Sequence, residues 1–326
     1  MSAQPQANQK KKAPSDGQIL LFIIILCFSC GFLLAVVAYS LRTPQKEAKE
    51  FDQSKQMLIA AKILNHNNEF ELLQEDGTLL PARFDATKSI LVPLEKGAKA
   101  VQASDDEIRT VAKLRIRPIL TNAKGELFTL EEKNVDLPEY LDTNKKSGYA
   151  HLPLKLVYAI LPNTAEAAKL TAADVVKDIS KAEMFVIPIS GFGLWAPIYG
   201  YLAIANNADM VIGTTWYELA ETPGLGANIA EPKWQKQFYG KLIFQEDADG
   251  KTDFKTAALG IVVIKGKVQD VYGTKPRSKN AVDGVSGATL TGNGVTAAYN
   301  DSLAPYRAFL IKVHNSQTKN GKESKS

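Results

Sequence analysis

The stretch Asp283-Gly-Val-Ser-Gly-Ala-Thr-Leu-Thr291 stands directly before a run of apolar residues at helical spacing: Val295, Ala298, Tyr299, Leu303, Tyr306, Phe309, Leu310 and Val313. That spacing predicts a helix over residues 292–313. Small residues and hydroxyls at a helix start leave backbone N–H groups open. With the helix dipole, those groups make a seat for an anion such as a phosphate. Plain capping by Thr289 or Thr291 reads equally well from composition. Beyond the helix, the chain from Asn315 is polar and reads as a loose tail.

Two further segments are rich in glycine. Ser190-Gly-Phe-Gly-Leu-Trp-Ala-Pro-Ile-Tyr-Gly-Tyr201 sets Gly191, Gly193 and Gly200 among Trp195, Tyr199 and Tyr201. Glycine admits a flat ligand to the backbone and aromatic rings give it a stacking face. A turn leading into a core strand accounts for the same residues. Glu221-Thr-Pro-Gly-Leu-Gly226 favours a turn at Pro223-Gly224 and exposes Leu225 between glycines. It is either a surface loop or a way to press one apolar side chain on a ring.

The rest of the exposed part reads as mixed α/β. Residues 51–64 predict an amphipathic helix with Met57, Leu58, Ala61, Ile63 and Leu64 near one face. Residues 69–84 alternate and turn at Asp76-Gly77 like a hairpin. Residues 154–161, 184–189 and 198–204 are strand candidates. Residues 171–181 predict a short helix with Thr171 as N-cap and Asp174 in its first turn. Residues 241–244, 258–265 and 267–272 read as strands of an antiparallel sheet, with Gly266 as a tight connection. Asp247-Ala-Asp249-Gly250 lacks the later glutamate of a calcium loop and reads as a surface turn. Residues 88–146 are charged and weakly patterned.

At the other end, residues 19–41 form a run of 23 residues without a charge. As a helix it reaches roughly 34 Å, enough for a hydrocarbon core of about 30 Å. It is longer than the apolar region of a cleaved signal, so a retained single anchor is expected. Lys10, Lys11 and Lys12 favour a cytoplasmic N-terminus, which places residues 42–326 on the far side. Cys27 and Cys30 both lie in the span, as two small hydrophobes or as a share in a membrane metal cluster with partner subunits.

The whole chain has 326 residues, 39 Lys+Arg against 35 Asp+Glu, a net charge of +4, 45% hydrophobic residues, 2 Cys and 3 His. Ordinary globular composition excludes a disordered or disulfide-built chain. The small, evenly spread charge gives no nucleic-acid footprint. Scarce Cys and His leave no metal site of their own.

Taken together, Asp283-x-x-Ser286-Gly287-Ala288-Thr289 resembles the flavinylation signature of the FMN-binding domain family. Three motifs narrow the resemblance: Gly-x-Gly-Leu-Trp at 191–195, Tyr-Gly-Tyr-Leu-Ala at 199–203 and the loop at 221–226. With one anchor, they point to the C subunits of sodium-translocating NADH:quinone reductases, over about residues 19–310. The implied fold is α+β: a single N-terminal transmembrane helix followed by one mixed α/β FMN-binding domain with an antiparallel sheet. The implied organisation is a cytoplasmic polar tail at 1–18, the span at 19–41, an extracytoplasmic FMN-binding domain at 42–313 and a flexible tail at 314–326. Residues 88–170 look longer than the family needs and are expected to be an insertion or a docking surface.

The resemblance implies FMN joined to Thr289 by a phosphoester, installed by a separate flavin transferase. A threonine hydroxyl is a weak nucleophile at neutral pH, which suits assisted attachment. Ser286, Gly287, Ala288, Leu290 and Thr291 are implied around the phosphate. Leu194, Trp195, Glu221, Thr222, Gly224, Leu225 and Gly226 are implied at the ring. Lys265 is a candidate for compensating negative charge, against an ordinary solvated lysine. No residue is given a catalytic role and no metal is expected. The implied function is an electron relay through FMN within a membrane complex of several subunits in the bacterial inner membrane, with the bulk of the chain periplasmic. The implied partners are the other membrane subunits, the transferase and lipid. The alternatives are the homologous FMN subunit of a ferredoxin:NAD electron-transport complex, or an anchored non-redox binding module.

Overall fold

The uncharged run forms one long helix, α1 (Asp16–Ala60), and none of its apolar window is buried within the chain. By length and composition this helix suffices to cross a membrane. The computed structural model describes residues 15–95 and 97–323, so Lys10, Lys11 and Lys12 lie outside the described residues. Two compact units divide the chain, Met1–Phe51 and Asp52–Ser326, and the boundary falls within α1.

In the second unit the last turn of α1 buries Met57, Leu58, Ile59 and Ala60. The helix expected to reach residue 64 stops at Ala60 because Lys62 takes a left-handed conformation, φ 57°. There the Ile63 N–H turns back onto the Leu58 carbonyl at 2.9 Å. Next come β1 (Phe70–Leu73), β2 (Leu79–Asp85) and β3 (Ile90–Pro93), an antiparallel three-stranded sheet. Its first hairpin turns at Asp76-Gly77 as expected, with Phe70 opposite Ala82.

The weakly patterned stretch is ordered. It holds α2 (Asp105–Arg115), β4 (Ile116–Thr121), β5 (Leu127–Phe128) and α3 (Leu137–Asn144). A capping box starts α2: the Ser104 hydroxyl accepts from the Glu107 N–H while the Glu107 carboxylate accepts from the Ser104 N–H. β6 (Lys155–Ile160) follows, then α4 (Ala172–Lys177) with the reciprocal Thr171–Asp174 cap. β7 (Met184–Phe192), β8 (Pro197–Ala205) and β9 (Val211–Glu218) complete an antiparallel six-stranded sheet in the order β5-β4-β6-β7-β8-β9. Residues 88–170 thus supply β4, β5 and β6 of that sheet.

The region expected to add three antiparallel strands differs. Residues 241–244 and 258–265 contribute isolated bridges, Met210 with Leu242 and Phe244 with Leu259. After the one-turn α5 (Pro232–Gln235) comes β10 (Val262–Val263), which pairs in parallel with β11 (Ala281–Val282). Residues 267–272 are not a strand. They carry the helical turn α6 (Val268–Val271), started where the Val268 N–H donates to the Asp283 carboxylate at 2.7 Å.

Then α7 (Thr289–Leu303) and α8 (Arg307–Glu323) cover one face of the large sheet, with Pro305 in the turn between them. The predicted helix is therefore two helices, and the second continues past Val313 to Glu323. Phe309 meets Phe185 edge to face with centroids 5.3 Å apart, and Tyr299 meets Trp216 at 5.6 Å. The Tyr299 hydroxyl, fully buried, shares a 2.7 Å hydrogen bond with Thr214. Burial of these rings holds the C-terminal helices on the sheet.

Truncating that contact tests the packing. Phe309→Ala is expected to lower the unfolding free energy by about 3–5 kcal/mol, read as a fall in the urea midpoint. Lys312→Ala, on the exposed side of α8, is expected to change it by less than about 0.5 kcal/mol.

Candidate functional site

Helix α7 begins at Thr289 with Ala288 in the N-cap position, and no side chain caps it. The capping reading of the sequence therefore fails. Thr289 is itself the first helical residue, and the Thr291 hydroxyl donates to Glu221 instead. The opening N–H groups of a 15-residue helix are left for another acceptor. Thr289 is exposed, as are Ser286, Gly287 and Leu290, whereas Ala288 and Thr291 are buried. Gly287 takes a left-handed conformation, φ 72°, that a side chain would strain.

Asp283 fixes this loop from below. Its carboxylate accepts from the Val268 N–H, its own N–H donates to Gln237 Oε1 at 3.0 Å, and its carbonyl accepts from the Trp234 indole at 3.0 Å. The Gly284 N–H adds a bond to the Gly266 carbonyl at 2.9 Å. These ties bring the 263–267 segment alongside the motif. Between them lies a cleft of about 460 Å³, lined by residues 263–267 and 283–289 with Gly292 and Asn293. Lys265 and Lys267 are both exposed at its wall. Pockets for small ligands and cofactors measure about 300–1,000 Å³.

On the other side of the helix start, the two remaining glycine-rich segments meet at Glu221. Its Oε1 accepts from the Leu194 N–H at 2.8 Å and the Trp195 N–H at 3.2 Å, and its Oε2 accepts from the Thr291 hydroxyl. The carboxylate is therefore a tie between loops; Glu221 is only 7% exposed. Several glycines that suggested room for a ligand instead make room for protein. A Cβ on Gly193 would collide with Glu221, and one on Gly226 would stand 2.5 Å from its Oε2.

The ring-facing side chains of the expectation remain outside. Leu194 and Leu225 are each 42% exposed and Trp195 is 65% exposed. Leu225 reaches over the motif, since a Cβ on Gly287 would lie 2.8 Å from its Cδ2. Thr222 and Gly224 lie in the turn, where the Thr222 carbonyl accepts from the Leu225 and Ala227 N–H groups at 3.1 Å.

The structure thus gathers 194–195, 221–226 and 286–291 around one helix start, with Lys265 on the cleft side. Sequence reasoning missed Lys267 and Val263, which fell in stretches that looked like strands, and Asn293, which fell in the predicted helix. It also left unread the 232–238 segment, whose Trp234 and Gln237 hold Asp283. A tryptophan and a glutamine carry no signal that they would bind a distant backbone. Among the described residues there is no cluster of His, Cys, Asp and Glu able to hold a metal.

Comparisons with known proteins converge on this region. The FMN-binding domain family matches residues 193–304, which span both loops and the start of α7. The C subunit of the Na(+)-translocating NADH-quinone reductase of Chlamydia caviae is 47% identical over 293 residues, covering 90% of this chain and 91% of the relative. The protein of the same name from Chlamydia pneumoniae is 45% identical, covering 91% and 92%. In fold, the chain is similar to the crystal structure of the corresponding Na(+)-translocating NADH-quinone reductase protein, again the C subunit, from Parabacteroides distasonis. That likeness has a TM-score of 0.51 at 21% identity and covers 83% of this chain and 96% of the other.

Asp283→Ala is expected to cost about 1.5–3 kcal/mol, the loss of a hydrogen bond to a charged acceptor. Urea unfolding of the detergent-solubilised chain reads it. Ser286→Ala, on the exposed side of the same loop, is expected to leave the midpoint within about 0.5 kcal/mol.

Proposed function

This chain belongs to the family of C subunits of the Na(+)-translocating NADH-quinone reductases, and from that premise we propose that it relays electrons through an FMN joined by a phosphoester to Thr289. One observation carries the proposal: an exposed threonine stands at the uncapped start of a long helix, between a lysine-walled cleft and three exposed apolar side chains.

The residues fit the group. The open N–H groups of α7 favour a phosphate, and Lys265 at the cleft wall supplies compensating charge. Leu194, Trp195 and Leu225 offer apolar and aromatic surface to a planar ring. FMN, when bound, supplies the redox chemistry, and the protein orients it and sets its electrostatic surroundings. Covalent attachment keeps the group in place at a site built largely on the surface. A separate flavin transferase activates the exchange that the threonine hydroxyl alone performs poorly.

The organisation that goes with this reading has residues 19–41 as a single span and residues 42–313 on the periplasmic side of the bacterial inner membrane. It has the remaining subunits of the complex as partners. The apolar helix α1 supports the span, and membership of a membrane oxidoreductase family supports the partners.

Attachment is tested on denatured protein from the native host. Intact mass is expected to exceed the chain mass by one FMN phosphoester. Thr289→Ala and Thr289→Val are expected to remove that mass and the yellow fluorescence entirely, and a host without the transferase should yield colourless protein. Flavin surviving either substitution would sink the assignment.

A further inference from the structure

Glu221 is a buried carboxylate. Among the described residues no Lys, Arg or His pairs with it, and its charge is held by the Leu194 and Trp195 N–H groups and the Thr291 hydroxyl alone. Two of these donors belong to peptide units that carry side chains of the ring site. The third lies two residues from Thr289, in the first turn of α7. Burying an unpaired charge is costly unless hydrogen bonds satisfy it. The backbone has been shaped to do so: Gly193 and Gly226 leave the space that the carboxylate fills, and a Cβ on Gly226 would also stand 2.6 Å from Thr291 Oγ1.

A neutral amide at this position accepts from the same N–H groups, so bridging the loops does not require a charge. The charge has a consequence that the bridge does not. Electrons delivered to the site by a donor add negative charge until protons follow from solvent. A fixed carboxylate in a partly water-excluded place opposes that addition. The more completely donors hold the carboxylate, the weaker the opposition.

We propose that Glu221 is a positioning residue that joins the ring platform to the attachment helix and, through its charge, holds the reduction potential of the flavin down. This rests on the reading that Thr289 carries FMN. Two isosteric substitutions then move the potential in opposite directions. Glu221→Gln removes the charge and keeps the shape, so the potential rises. Thr291→Val keeps the charge and removes one of its donors, so the potential falls.

The experiment uses the full chain in detergent, produced with the transferase. Intact mass of the unsubstituted chain comes first, and absence of FMN there overturns the reading rather than this inference. With FMN present, spectroelectrochemical titration is expected to give a positive shift for Glu221→Gln and a negative one for Thr291→Val. Potentials unchanged in both, or moved in the same direction, would leave Glu221 a purely structural tie and overturn the proposal. The joining role is read separately on apo protein from a transferase-free host. Amide exchange at Leu194 and Trp195 is expected to quicken about tenfold or more in Glu221→Ala, as loss of a hydrogen bond of about 1.5–3 kcal/mol implies. Unchanged exchange in Glu221→Ala overturns the positioning role even where a variant fails to take up flavin.

Discussion

Helix α7 has to meet two demands at once. Its body must bury Val295, Ala298, Tyr299 and Leu303 against the six-stranded sheet, while Thr289 and Leu290 in its first turn stay exposed and no side chain caps it. Aromatic burial meets the first demand, with Tyr299 packed on Trp216 and bonded to Thr214. The second is met by leaving small residues at 286–288 and by tying the loop down elsewhere, through Asp283 below and Glu221 beside it. Leaving the helix start uncapped has therefore moved its stabilisation onto neighbouring segments. Two of the clustered glycines, Gly193 and Gly226, let the backbone approach the Glu221 carboxylate closely.

The elements that were legible in the sequence carry their own local reasons. Thr171 and Asp174 cap α4 within four residues of each other, and Asp76-Gly77 makes its turn without help from the rest of the chain. The uncharged run of α1 needs only counting. The start of α7 and its apolar spacing were visible as well, although Pro305 divides what looked like one helix into two.

What could not be read depends on distant partners. β5 is two residues long and exists only because β4 is beside it. Val268 begins a helical turn rather than a strand because the Asp283 carboxylate, 15 residues away, takes its N–H. The Ser104–Glu107 box at the head of α2 was a readable signal in a stretch that otherwise has little pattern. At the site, the residue types and their motif were legible, but the role of Glu221 was not. Its partners lie 27 and 70 residues away, and nothing in the local sequence separates a ring contact from a tie between loops.

The central claim is that one threonine carries the flavin, and site-resolved mass spectrometry of native protein addresses it most directly. Trypsin should release residues 280–307, bounded by Lys279 and Arg307. The account requires fragment ions that place one FMN on Thr289 of this peptide. An unmodified peptide, or FMN mapped to Ser286, Thr291 or any residue elsewhere, would contradict it.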